Sequence, residues 1–236
     1  MLDFLTIATR VKKPGIIEAY PEFEIKKSKD LMIRGGDFYA IWVEDRGLWS
    51  TDEDDVVQLV DRELSEYREA NKDKVEGVLK CAYMRTASSG MIDAWHKYCQ
   101  KQMRDSFHTL DEKLIFSNTD VKKRDYASKK LSYPLEPCET PAYDKLISTL
   151  YSEEERHKIE WAIGSIITGD SRKIQKFMVL YGAAGTGKST ILNIIQQLFE
   201  GYYSVFDAKA LGSANSAFAL EAFKTNPLVA IQHDGD

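Results

Sequence analysis

The residues best suited to chemistry lie together late in the chain. Gly182, Ala183, Ala184, Gly185, Thr186, Gly187, Lys188 and Ser189 spell G-x-x-x-x-G-K-S, the pattern of a phosphate-binding loop. Glycines let a backbone turn tightly and bring its N–H groups around an anion. A helix that starts where the loop ends adds the positive end of its dipole. In that arrangement Lys188 reaches the β- and γ-phosphates as a point charge. The Ser189 hydroxyl takes a position on Mg²⁺, and Thr190 follows on the same helix start. A loop of this kind binds ATP but does not hydrolyse it without an acid at the end of a neighbouring strand. Asp234 is the expected Mg²⁺ partner. Asp236 is the reserve, or the group that orients the attacking water.

The elements needed to position these groups are legible nearby. Phe177, Met178, Val179, Leu180 and Tyr181 form a short apolar run expected as a buried parallel strand before the loop. An apolar helix is expected from Thr190 to Phe199, ended by Gly201. Leu228 to Gln232 reads as a second strand, leading into His233 and Asp234. Between them, Tyr203 to Phe206 suits a strand and Phe218 to Phe223 a helix.

Upstream, residues 1–35 read as short strands and loops. Phe38 to Val43 and Leu48-Trp49 make a hairpin around Gly47. Ser50 with Glu53 has the spacing of a capping box, opening a helix with Val56, Val60, Leu64 and Tyr67 on one face. A helix is also expected over 73–88 and another from Met91 to Phe107. Leu114 to Phe116 and Leu131 to Tyr133 look like strands around a charged connection. The proline-rich stretch from Tyr133 to Pro141 reads as a linker. Two helices follow between Tyr143 and Ile167, the second capped by Ser152 with Glu155 and ended by Gly169.

Other chemistry-bearing residues have ordinary readings beside functional ones. Trp42, Trp49, Trp95 and Trp161 could stack on bases or fill cores. Lys122, Lys123, Arg124, Lys129 and Lys130 could touch a nucleic-acid backbone or coat a solvated turn. His96 and Cys99 sit three apart on a helix, but no second pair completes a four-ligand metal site. Cys138, among prolines, lacks an obvious base.

Composition narrows the field. Hydrophobic residues make up 43% and charged residues 29% of the 236, which excludes a disordered or collagen-like chain. Lys+Arg number 32 and Asp+Glu 37, a net charge of −5, which speaks against coating nucleic acid by bulk charge. Three cysteines make a disulfide framework unexpected and a reducing cytoplasm the default. No apolar run approaches the ~20 residues of a membrane span.

With those residues in view, the chain resembles the superfamily 3 helicases, in particular the phage, plasmid and poxvirus primase–helicase group. The loop GAAGTGKST after FMVLY carries the likeness, as does the short interval from Lys188 to Asp234. Upstream, FYAIWVEDRGLWSTDEDDVVQLV and DEKLIFSNTDVKKRD are similar to parts of that group's accessory domain. The resemblance covers roughly residues 38–236. It implies an α+β accessory domain (1–140), a helical collar (141–170) and an incomplete α/β P-loop NTPase core of AAA+-like type (171–236), cut at the Walker B strand with an exposed sheet edge. It implies an ATP-dependent DNA helicase of phage or mobile-element replication. ATP and Mg²⁺ would be its cofactors, single-stranded or forked DNA its partner and a homo-oligomeric ring, a hexamer, its full-length assembly, in the host cytoplasm and away from membranes.

The family usually has a glutamate or paired acids at the Walker B position, where this chain has Asp234 and Asp236 around Gly235. The family's sensor asparagine, DNA-contacting hairpin and arginine finger lie after that strand. Two other functions stay open. One is a non-catalytic module that binds DNA or protein. The other is a P-loop small-molecule kinase, which would need an arginine-rich lid. No arginine occurs from Tyr202 to Asp236.

Overall fold

The computed structural model describes the chain except residues 1, 25–27, 36–37, 87, 89, 102–107, 213–219, 225–226 and 234–236. It is a mixed α+β protein with small sheets. The chain divides into two units. The first holds residues 1–110 and 121–128, the second residues 111–120 and 129–236. Among the described residues no helix is long and apolar enough to cross a membrane.

In the first unit, strands β1 (Leu5–Lys13) and β2 (Ile16–Phe23) form an antiparallel hairpin through Pro14-Gly15. Strand β6 (Val78–Cys81) joins β2 in parallel, Ile16 opposite Val78 and Ala19 opposite Cys81. The helix expected over 73–88 is therefore replaced by a 3₁₀ turn at Lys72–Lys74 and this strand. A short apolar run is ambiguous in period, and pairing with β2 decides it while sending Leu79 into the core. Gly77 makes the approach possible. Its φ is +115°, and a Cβ there would fall 2.4 Å from the Gly15 carbonyl oxygen.

Strands β3 (Leu31–Gly35), β4 (Phe38–Val43) and β5 (Leu48–Ser50) form a second antiparallel sheet. β4 reads as nearly continuous hydrophobic sequence because both of its faces are covered. Tyr39, Ile41 and Val43 join the main core. Ala40 and Trp42 pack with Met32, Trp49, Leu110, Val121 and Tyr126 on the other side. Segment 121–128 is tied down there, with Trp49 donating its backbone N–H to Ala127 O at 2.8 Å and its indole N–H to Lys123 O at 2.8 Å.

Helix α1 (Glu53–Asn71) puts Val56, Val60 and Leu64 into the core, as the spacing predicts. Its cap is Asp52, whose side chain accepts from Asp54 N, and not Ser50 as the capping-box spacing predicts. Ser50 ends β5 instead, and its hydroxyl accepts from Asp52 N at 3.1 Å. Helix α2 (Met91–Lys101) delivers Trp95, which is fully buried against Phe4, Phe23 and Tyr39. The rest of the helix expected to Phe107 lies outside the described residues.

The second unit is built on one hydrophobic cluster. Residues 114–116 and 131–133 lie side by side, Leu131 N donating to Ile115 O at 2.7 Å and Ser117 N to Tyr133 O at 3.1 Å, without forming a regular ladder. Residues 135–140, with Cys138, are exposed, and the stretch expected as a linker lies inside the second unit and not between the two. Helices α3 (Pro141–Leu150) and α4 (Glu153–Thr168) follow. Ser152 and Glu155 form the expected reciprocal capping box, and Gly169, at φ +70°, ends α4. A single turn, α5 (Ser171–Ile174), precedes the extended residues 175–181.

Helix α6 (Lys188–Leu198) buries Ile191 and Ile195 in the cluster. After it, Tyr202 is 1% exposed, its hydroxyl donating to Lys129 O at 2.8 Å, and burial pushes its pKa up to about 12. Strand β7 (Tyr203–Val205) and strand β8 (Val229–Ile231) pair in parallel, Ser204 opposite Ala230. Between them run the short helix α7 (Ala208–Gly212) and a 3₁₀ turn at Glu221–Phe223. That turn stands at the end of the helix expected from Phe218, whose first residues lie outside the described set.

Candidate functional site

The loop at 182–187 takes its shape from its glycines. Gly182, Gly185 and Gly187 have φ of +155°, +80° and +83°, values that side chains with a Cβ resist. Gly187 is the residue from which α6 starts. The first N–H groups of α6 have no carbonyl within the helix to bond, as at any helix start.

Lys188, the first residue of α6, folds back over this turn. Its ammonium donates to Gly182 O at 2.8 Å and to Ala183 O at 2.7 Å. Thr186 braces the same turn, its hydroxyl donating to Ala183 O at 2.9 Å. Ala184 and Gly185 form the exposed tip, and the hydroxyl-bearing Ser189 and Thr190 are exposed on the first turn of α6. A cation lies on this glycine-shaped turn, and the first N–H groups of α6 and two exposed hydroxyls follow it directly in the chain. That donor set fits a polyphosphate. Ser189 offers a hard oxygen of the kind Mg²⁺ accepts.

The acids expected to complete the set, Asp234 and Asp236, lie outside the described residues. The residue before them is described. Leu228 and Val229 donate to Tyr202 O, just beyond the C-terminal end of α6. Four residues later, His233 Nε2 lies 3.2 Å from Gln196 Nε2, back along α6. His233 thus lies beside the last turn of α6.

One expectation fails beside the loop. Residues 177–181 are extended but pair with no strand among the described residues. Phe177 is 89% and Tyr181 98% exposed, and only Leu180 packs against the cluster. A strand exists through its ladder, and an apolar run with no neighbour to bond stays an exposed extended segment.

Elsewhere, Trp42, Trp49 and Trp95 are buried, whereas Trp161 on α4 is 54% exposed. Lys123 pairs with Asp30, and Lys129 lies 3.7 Å from Asp111 and over the Tyr202 ring. Lys122 and Arg124 are exposed. His96 Nε2 is 2.5 Å from Glu53, and Cys99 is fully buried. Among the described residues no group of three or more His, Cys, Asp or Glu is placed to hold a metal ion. An open, polar cavity of about 560 Å³ lies at the α3–α4 elbow, bordered by Ser148, Tyr151, Arg156, His157 and Glu160.

Two contacts around α6 involve residues that carry no motif. Gln196 bonds His233 as described, and Leu150, at the end of α3, packs against Gly187. Helical spacing marks Leu150 as apolar but does not say what it touches. No protein-family model, curated protein or solved structure matches the chain.

Proposed function

We propose that this chain is the nucleotide-binding part of an ATP-driven DNA helicase of phage or mobile-element replication. Residues 182–190 would hold the phosphates of ATP, and Ser189 with Asp234 would hold Mg²⁺. Lys188 would neutralise the β- and γ-phosphates, and Asp236 is the reserve acid. The observation that carries the reading is the Lys188 ammonium folded onto the carbonyls of Gly182 and Ala183 at the start of α6. A lysine held inside a turn with three positive-φ glycines is placed for an anion that enters among those N–H groups.

The helicase reading rests on the motif order and on the resemblance of residues 38–236 to that family. In it the core works as one subunit of a ring acting on single-stranded or forked DNA, with α3 and α4 as the collar. The chain by itself should bind MgATP and turn it over slowly. Isothermal titration with MgATP tests the first part, and Lys188→Ala should weaken binding by more than about tenfold, the loss of one charge-assisted phosphate contact. Equal binding by wild type and Lys188→Ala would sink the nucleotide reading and favour the non-catalytic module. Phosphate transfer to a small-molecule acceptor, insensitive to DNA, would favour the kinase. Fast DNA-stimulated hydrolysis would overturn the expectation of slow turnover.

A further inference from the structure

The phosphate loop is gripped from outside by one side chain. Leu150, the last residue of α3, lies against Gly187 so closely that a Cβ there would meet its Cδ1 at 2.7 Å, its Cδ2 at 3.2 Å and its Cγ at 3.3 Å. The other loop glycines are different. Gly185 has nothing within 4 Å of the same point, and Gly182 has only Thr186 of the loop itself. Gly187 is also the residue on which the site turns, since its left-handed backbone passes directly into Lys188 and the first turn of α6.

The elbow that carries Leu150 is itself held. Tyr151 N donates to Ile147 O at 2.9 Å and closes α3. Ser152 and Glu155 cap α4 in both directions. Ile147 and Tyr151 share one hydrophobic cluster with Ile191 and Leu192 of α6. Leu150 thus sits on a braced elbow and faces a residue without a Cβ.

We infer that Leu150 is a positioning residue for the phosphate loop: it fixes the backbone of Gly187, and through it the N–H groups and the ammonium of Lys188, without touching the ligand. The inference rests on the reading of residues 182–190 as a polyphosphate site. An anion cradle acts through oriented N–H groups, and small misplacements of such groups cost large factors. Removing the leucine leaves the chemistry in place but lets Gly187 sample the wide range of φ open to glycine. Coupling of this kind is reciprocal, so a bound polyphosphate would also hold the α3–α4 elbow in place.

The test is calorimetric titration of the whole chain with inorganic tripolyphosphate and, separately, with MgATP. Leu150→Ala should weaken both by the same factor, on the order of tenfold for a loosened site. Leu150→Met should recover most of it, because it restores the volume against Gly187. Tyr151→Phe, which keeps the packing and removes only a hydroxyl, should change neither. Thermal melting of the ligand-free variants shows whether each is folded. If Leu150→Ala does not fold, the graded variant Leu150→Val reads the same effect at smaller size. Unchanged tripolyphosphate affinity in a folded variant overturns the inference. So does a loss confined to MgATP, which would set Leu150 against the nucleoside. A wild type that binds neither ligand fails at the earlier step, the phosphate site itself, and removes both readings.

Discussion

His233 Nε2 and Gln196 Nε2 lie 3.2 Å apart, joining the segment just after β8 to the last turn of α6. This bond links the strand that leads to Asp234 with the helix that begins at Lys188. If Asp234 is the Mg²⁺ partner, Asp234→Asn should weaken MgATP binding or turnover while leaving binding of ATP in excess chelator unchanged. Gln196→Ala should cost less than about 1 kcal/mol of stability, the usual net worth of one hydrogen bond. Paired titrations with and without Mg²⁺ check the first point. Urea unfolding checks the second.

The segment 177–181 offers a test of its exposed setting. Phe177 and Tyr181 are almost fully in water. Phe177→Lys and Tyr181→Lys should each change unfolding free energy by no more than about 0.5 kcal/mol, the range for surface positions. They should also lower self-association, since an apolar extended run is a template for pairing. Sedimentation across a concentration series measures this, and a loss of several kcal/mol would show that the run is core.

Glu18 gives a pH-dependent prediction in the first unit. It is only 4% exposed, yet bonded to Lys12 and, at 2.6 Å, to Arg10. The hydrogen bond from Lys12 leads the effects that hold its carboxyl below the ordinary value, against the opposing effect of burial. A carboxyl lowered on folding adds stability above its unfolded pKa, and that stability is lost as pH falls through the folded value. Glu18→Gln should therefore cost about 1–2 kcal/mol at pH 7, less than a fully buried pair because both cations are half in water. The gap from wild type should close as pH falls below the normal carboxylate range. Denaturant melts at neutral and acid pH measure it.

Gly77 and Gly15 separate two reasons for a glycine. Both have positive φ, but only Gly77 faces a backbone atom, with Gly15 O at 2.4 Å from where a Cβ would stand. Gly15→Ala should lose about 1–2 kcal/mol for conformation alone. Gly77→Ala should lose distinctly more, because β6 must move from β2 to relieve the overlap. Comparing the two melting curves tests whether β6 is a strand in parallel with β2.

Ser152→Ala should destabilise α4 by about 1 kcal/mol, as the loss of a helix cap does. Helical signal near 222 nm followed through urea unfolding reads this directly. An unchanged midpoint would show that Glu155 alone satisfies the helix end.

What the sequence determined by itself was local. The glycines of the loop, the helix that follows it, the Ser152–Glu155 cap and the apolar face of α1 are set by residues within a turn or two of one another. Such interactions are encoded by spacing, so spacing reveals them. The tertiary structure decided everything that needed a distant partner. Val78 to Cys81 became a strand because β2, some 60 positions earlier in the chain, offered a ladder. Phe177 to Tyr181 remained unpaired for the opposite reason, as no described strand offered one. Ser50 lost its expected cap role when β5 claimed it. The grip of Leu150 on Gly187 is of the same kind, since it joins two residues from separate elements that no motif relates. A motif names the groups that could meet a phosphate, and packing between elements fixes where those groups stand.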